Sequence, residues 1–121
     1  MSFVRWVILL AVLLSPFQVS AYSCEMLSSS IDDSRRWLKR AAEETDLDAA
    51  KDYMRKAKNS LEETASALRD CGCDFAASEF DDASTKARRA RDATDVEDFS
   101  YQFDRAVKAY NAGLEAISSC R

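Results

Sequence analysis

The chain contains no histidine, only two glycines and a single proline among its 121 residues. Without histidine, Ser-His-Asp and Cys-His mechanisms, imidazole metal sites and the usual haem ligands are all excluded. The only proline, Pro16, lies in the first 21 residues, so the rest of the chain lacks the turn residues that a β-sandwich or a disordered linker needs. The fold is therefore predicted to be all-α.

Residues 1–21 have the pattern of a signal peptide that is removed after Ala21. Arg5 precedes an apolar run at residues 6–14, and residues 19–21 are small enough for a signal peptidase to read. These nine apolar residues are too few to span a bilayer. We expect an exported protein, periplasmic or secreted, with one domain at residues 22–121 and no stable membrane association after cleavage.

The predicted mature domain is acidic. The chain has 17 basic and 21 acidic side chains, and the loss of Arg5 with the signal peptide leaves 16 against 21, a net charge of −5. Nucleic acid and anionic membrane surfaces are poor partners for such a domain. The expected partner is a protein of unknown identity, and the oligomeric state stays open.

An internal repeat organises the mature chain. Residues 24–71 align with residues 73–120 at an offset of 49 without a gap, and 11 of the 48 pairs are identical. A chain this rich in Ala, Asp and Ser gives about four identities by chance. We interpret the pattern as a tandem duplication, with compositional similarity between amphipathic helices as the alternative.

Each repeat carries two amphipathic helices, which predicts an up-down-up-down four-helix bundle made of two duplicated, disulfide-closed α-hairpins. Leu61 and Phe103 lie in the middle of their stripes. The predicted core stripes are Cys24, Leu27, Ile31, Ser34, Leu38 and Ala41; Leu47, Ala50, Met54, Ala57, Leu61, Thr64, Leu68 and Cys71; Cys73, Ala76, Phe80, Ala83, Ala87 and Ala90; and Val96, Phe99, Phe103, Ala106, Tyr110, Gly113, Ile117 and Cys120.

Local signals place the helix boundaries. Thr94 opens a capping box that ends at Glu97, which predicts Thr94 as the N-cap of the fourth helix, and Thr45 opens a weaker version of the same motif. Gly72 alone separates the repeats and is predicted to be the left-handed residue that ends the second helix.

Charges along the first and third helices agree with these boundaries. Acidic pairs come early and basic clusters come late in each helix, as the helix dipole favours. We interpret the clusters mainly as a solvated face, and a contact surface for an acidic partner is the alternative. The basic residues are Arg35, Arg36, Lys39 and Arg40, and Lys86, Arg88, Arg89 and Arg91.

The four cysteines, Cys24, Cys71, Cys73 and Cys120, gather at one end of the predicted bundle. In an oxidising compartment an even number of cysteines predicts disulfides. Neighbouring helices favour Cys24 with Cys71 and Cys73 with Cys120, and each bond would contribute roughly 4 kcal/mol by restricting the unfolded chain. The alternative function is a thiolate site for Zn²⁺ or Cu(I), with Met26 nearby, or a thiol-redox protein.

No other pattern predicts catalysis, because the predicted core stripes contain no Asp, Glu, Lys or Arg. We expect a non-enzymatic binding module without a cofactor or metal. Aromatic residues that flank the stripes either cover core edges or anchor an interface. The candidate partner-binding residues are Trp37 and Arg36 in the first helix and Tyr101 and Arg105 in the fourth, which are expected to share one surface.

One short stretch resembles a known family. Residues 67–71, Ala-Leu-Arg-Asp-Cys, are similar to the Ala-Leu-x-Asp-Cys stretch of the plant invertase and pectin methylesterase inhibitors, which are exported four-helix bundles with two disulfides. The resemblance covers five residues. The equal 47-residue cysteine spacing departs from the uneven spacing of that family, so no function or site is transferred from it.

Overall fold

The computed structural model describes Cys24 and residues 26–120. The predicted signal peptide lies outside the described residues. These residues form an all-α, four-helix bundle without strands, which confirms the all-α, four-helix part of the prediction. None of the helices among them combines the length and the apolar character that a membrane span needs. The helices are α1 at residues 26–43, α2 at Leu47–Asp70, α3 at Asp74–Arg91 and α4 at Val96–Ile117.

The core is built mainly from the small and aliphatic residues of the predicted stripes. In α3 the whole stripe from Cys73 to Ala90 is buried, so α3 presents a face of alanines with Phe80 as its one large side chain. In α2 the residues from Ala50 to Leu68 of the stripe are buried as well. Alanine on α3 lets the neighbouring helices approach closely, which suits the larger residues on α2 and α4.

The ends of two stripes are not core. Val96 is 63% exposed and Cys24 is exposed, whereas Phe103, expected in mid-core, is only partly buried. Val96 is the first residue of α4, and Cys24 lies at the start of the first helical segment. A regular 3,4 spacing continues past the point where neighbouring helices can cover it, so the pattern overestimates the core at helix ends.

The N-caps lie one residue later than predicted. Asp95 is the N-cap of α4, and its carboxylate accepts a hydrogen bond from the backbone amide of Asp98 at 2.8 Å. In the same way Asp46 caps α2 and accepts from the amide of Ala49 at 3.0 Å. Aspartate and threonine are both good N-caps, so the adjacent Thr-Asp pair made the choice ambiguous from sequence. The expected role of Thr94 is therefore wrong.

The end of α2 forms a Schellman motif, as the position of Gly72 predicts. Gly72 has φ +81°, its amide donates to the carbonyl of Arg69, and the Cys73 amide donates to the carbonyl of Leu68 at 2.8 Å. The chain then enters α3 at once, because Cys73 is the N-cap of that helix. This turn brings Cys71 and Cys73 to the same end of the bundle.

Both disulfides lie at this end. Cys24 is joined to Cys71, with Cα atoms 5.6 Å apart, and Cys73 is joined to Cys120, with Cα atoms 5.7 Å apart. These are the pairs that the helical positions favour. Each bond ties the first helix of a repeat to the end of the second helix of the same repeat.

Candidate functional site

Trp37 lies in the contact between α1 and α2. Its indole stacks on the ring of Tyr53 in α2, with ring centroids 6.0 Å apart and planes 20° apart, and both side chains are partly buried against the core. Each aromatic residue precedes a buried stripe residue, Leu38 in α1 and Met54 in α2. The pair therefore covers the edge of the core and presents its remaining surface to solvent.

Three cations surround the Trp37 indole. Arg36 Cζ lies 4.7 Å, Lys56 Nζ 4.8 Å and Arg40 Cζ 5.5 Å from the ring centroid. All three are within the range of a cation–π contact, which is favourable by about 0.5–1 kcal/mol at an exposed site. We call Trp37, Tyr53, Arg36, Arg40 and Lys56 the Trp37 cluster.

Two carboxylates hold part of this charge in place. Arg36 pairs with Asp33 at 3.1 Å, and Lys56 pairs with Asp52 at 3.7 Å. Asp52 also accepts a 2.7 Å hydrogen bond from Arg55, which lowers the pKa of that carboxyl below its ordinary value. Together with Arg55, the three cations of the Trp37 cluster make four, against the two carboxylates of Asp33 and Asp52. This surface is therefore locally basic, although the net charge of the domain is negative.

Tyr101 and Arg105 form a second, smaller group on α4. Arg105 Nη1 donates a hydrogen bond to the Tyr101 hydroxyl at 3.0 Å, and its Cζ lies 5.4 Å from the centroid of that ring. Tyr101 is 57% exposed. The pair is one turn of helix long and is held together by local contacts.

The structure brings each candidate pair together but does not place the two pairs on one surface. The Trp37 cluster lies at the α1–α2 contact, whereas Arg105 lines a shallow depression with Glu79, Asp82 and Lys86 of α3. The expectation that helices 1 and 4 would present these residues jointly is therefore corrected: both helices carry them, on faces turned toward different neighbours.

Other residues line the groove between α1 and α4. Its apolar surface comes from Leu38, Phe103, Val107 and Tyr110, and the space has a volume of about 400 Å³. From sequence, Phe103 and Tyr110 were expected only as core residues. The signal that could have identified the groove is Val107, an apolar residue that lies outside the predicted stripe of α4.

The cystine end of the bundle has a cavity of about 350 Å³, lined by both disulfides together with Leu27, Leu68 and Ile117. The predicted gathering of the cysteines at one end is thus observed. All four sulfurs are bonded in pairs. A thiolate site for Zn²⁺ or Cu(I) would require reduction of both bonds, and thiol titration of the purified protein distinguishes the two states.

The core of the described residues contains no buried charged side chain. The buried polar residues there are Ser34, Ser60, Thr64 and Ser84. The hydroxyls of Ser34 and Thr64 donate to the carbonyls four residues earlier in their helices, at 3.0 and 2.8 Å. These hydroxyls are satisfied by their own helices, which is a structural role. Within the described part of the chain, no three carboxylates or cysteines are grouped to hold a metal ion.

Comparison of the chain with protein-family models, curated proteins and solved structures found no match.

Proposed function

We propose that this protein is a small, exported, non-enzymatic binding module that recognises an acidic partner protein through the Trp37 cluster. Export depends on a signal peptide at residues 1–21. N-terminal sequencing of the exported protein tests this part, since cleavage after Ala21 gives Tyr22 as the first residue.

We further propose an up-down-up-down scaffold that arose by duplication of one α-hairpin. Three equivalences at the offset of 49 support it. The N-caps Asp46 and Asp95 accept the same type of hydrogen bond, and the buried residues Ala57 and Ala106 occupy matching places in α2 and α4. Both disulfides connect equivalent positions with nearly equal Cα separations.

One asymmetry between the repeats carries the functional proposal. At the positions equivalent to Trp37 and Tyr53, the second repeat has Lys86 and Gln102. The second hairpin thus packs at this site without an aromatic stack. Because the second hairpin packs without this stack, we assign Trp37 and Tyr53 to recognition in addition to their cover of the core edge, as large, rigid aromatic side chains are typical anchors of protein interfaces.

The charge around the aromatic pair indicates the chemistry of the partner. Arg36, Arg40 and Lys56 lie within 5.5 Å of the indole centroid, and excess positive charge favours a surface rich in Asp and Glu. Arginine pairs with carboxylates through two parallel hydrogen bonds and also stacks on aromatic rings. Binding should therefore weaken at high ionic strength, because exposed charges are screened by salt.

Exchange of residues between the repeats gives a sharp test. In the variant Trp37→Lys/Tyr53→Gln, the first hairpin receives the side chains that the second hairpin already accommodates. We expect helicity to be retained, since these residues occur at the equivalent site of the same bundle. Capture of acidic proteins from the exported fraction, measured by pull-down and mass spectrometry, should fall to the level of beads without protein.

A control exchange is Glu43→Asp/Asp48→Glu, which also transfers residues of the second repeat to the first but at exposed positions outside the cluster. It should bind like the wild type. Retained capture by the Trp37→Lys/Tyr53→Gln variant would refute the assignment. The variant Tyr101→Ser examines the second group separately, and loss of capture in that variant alone would move the site to α4.

A further inference from the structure

The groove between α1 and α4 combines an apolar floor with charged side chains of a single sign. Its floor is apolar, formed by Leu38, Phe103, Val107 and Tyr110, yet the charged residues that line it, Arg35 and Lys39, are both basic. The domain as a whole carries excess negative charge. An apolar floor with a cationic rim is complementary to a ligand with an apolar tail and an anionic head.

We propose that this groove binds a free anionic amphiphile, a single alkyl chain that ends in a carboxylate. The tail lies along Phe103 and Val107, and the head group pairs with Arg35 and Lys39. The site is separate from the Trp37 cluster, so this proposal does not depend on the proposed protein partner.

The dimensions of the groove suit a single chain. The lining residues of α1 run from Arg35 to Ala42, a stretch of eight residues and about 10 Å of helix, and a volume of about 400 Å³ lies in the range of small-molecule sites. Leu38 and Tyr110 are buried and form a fixed floor, whereas Phe103 and Val107 are partly exposed and gain cover when a chain is bound. Burial of this remaining apolar surface favours binding.

The rim is arranged to hold one acidic group. Arg35 and Lys39 are four residues apart, so they are neighbours on one face of α1. The Arg35 guanidinium is cationic at neutral pH, as arginine is in proteins generally, and a side-chain hydrogen bond with Tyr110 raises its pKa further. Asp32 approaches Arg35 at 3.8 Å, while both side chains stay more than half exposed. The Arg35 guanidinium therefore remains accessible to a second anion.

The cavity at the cystine end supplies an internal comparison. It is lined by Leu27, Leu68, Ile117 and the disulfides, and no charged side chain lines it. Both sites offer apolar surface of similar volume, but only the α1–α4 groove has cationic side chains in its lining. An anionic head group should therefore favour the groove over this cavity.

The experiment compares three probes with the same alkyl length on the intact protein: decanoate, decanol and decyltrimethylammonium, each below its aggregation limit. Amide NMR spectra locate binding, and calorimetry measures Kd. Decanoate should shift the amides around Val107 and Leu38, with an affinity about tenfold above that of the cationic probe. Hexanoate should bind about tenfold more weakly than decanoate, because a shorter chain covers less of the apolar floor.

Charge reversal at the rim gives the matched pair of variants. Lys39→Glu should weaken decanoate binding about five- to tenfold and leave decanol unchanged. Lys108→Glu, an exposed change on α4 that faces the depression next to α3, should have no effect on either probe. Both positions are exposed, so neither variant threatens the fold.

Four outcomes would overturn the proposal. These are equal affinity for the three probes, shifts confined to the cystine end, decanoate binding that Lys39→Glu does not change, and binding to phosphatidylglycerol vesicles without binding of free decanoate. A fifth outcome against the proposal is self-association in which a second copy of the chain covers the groove. Sedimentation over a range of protein concentrations detects this state.

Discussion

Replacement of Gly113 by alanine is predicted to destabilise the bundle, although alanine is normally the better helix residue. Gly113 lies inside α4, against the ring of Phe80 in α3. A methyl group at this position would lie 2.5 Å from Cε2 of that ring and 2.8 Å from Cδ2 and Cζ. Carbon atoms in contact are about 3.5–4.0 Å apart, so the methyl group or the ring must move by about 1 Å.

The Phe80 ring has little room to move. Phe80 is 0% exposed, and Tyr110 packs edge-on against it with ring centroids 5.9 Å apart and planes at 85°. An overpacked core loses about 1–3 kcal/mol, and exchange of glycine for alanine inside a helix gains about 1 kcal/mol. Gly113→Ala should therefore lower the free energy of unfolding by up to about 2 kcal/mol.

A double-mutant cycle separates these two contributions. Phe80→Leu removes the ring that the new methyl group would meet, so Gly113→Ala in that background should raise the free energy of unfolding by about 1 kcal/mol. The sign of the effect thus reverses between backgrounds. Urea unfolding with both disulfides intact measures all four proteins, and Ala112→Gly in the same turn of α4 calibrates the helix propensity there.

A coupling energy of zero between Gly113→Ala and Phe80→Leu would refute the close approach of α4 to the Phe80 ring. In that case Gly113→Ala would stabilise the wild type by the same amount, about 1 kcal/mol, as it stabilises the Phe80→Leu variant. The m-values should stay constant in the four proteins, since a change in m would mean that the surface exposed on unfolding had changed.

Three further results are expected. Asp95→Ala should lower the free energy of unfolding by about 1 kcal/mol because it removes the N-cap of α4, and Thr94→Ala should change it little. A larger loss for Thr94→Ala than for Asp95→Ala would mean that Thr94 is the N-cap. Leu61→Ala should cost about 2–5 kcal/mol since Leu61 is fully buried, against little for Lys58→Ala, and equal urea midpoints would mean that the face of α2 is misassigned. Dilute reductant should open the disulfide of Cys24 first, because Cys24 is exposed, and mass spectrometry after alkylation would detect the opposite order.

Much of the scaffold follows from local rules that the sequence makes visible. The 3,4 spacing identified the buried face of α3 and most of that of α2. Gly72 could be assigned a positive φ because it is the only residue between two cysteines that belong to different helices. The disulfide partners followed because neighbouring helices bring positions 47 residues apart to the same end.

The candidate site was less predictable than the core. The spacing of apolar residues defines the buried face of a helix, but it does not define which neighbouring helix packs on each side of that face. Trp37 and Arg35 lie on opposite sides of Leu38 around α1, and the structure places one beside α2 and the other beside α4. The handedness of the bundle decides between these sides, and it is a property of the packed helices rather than of one helix. The grouping of Trp37 with Tyr101 depended on that choice.

The sequence repeat relates the two candidate groups to each other. At the offset of 49, Lys56 of the Trp37 cluster corresponds to Arg105. Lys56 contacts Trp37 at the α1–α2 contact, and Arg105 lines the depression beside α3. At this offset the position occurs twice, once in α2 and once in α4. If only the first copy has become a recognition site, changes at Arg105 should leave partner capture intact, whereas changes at Lys56 should weaken it.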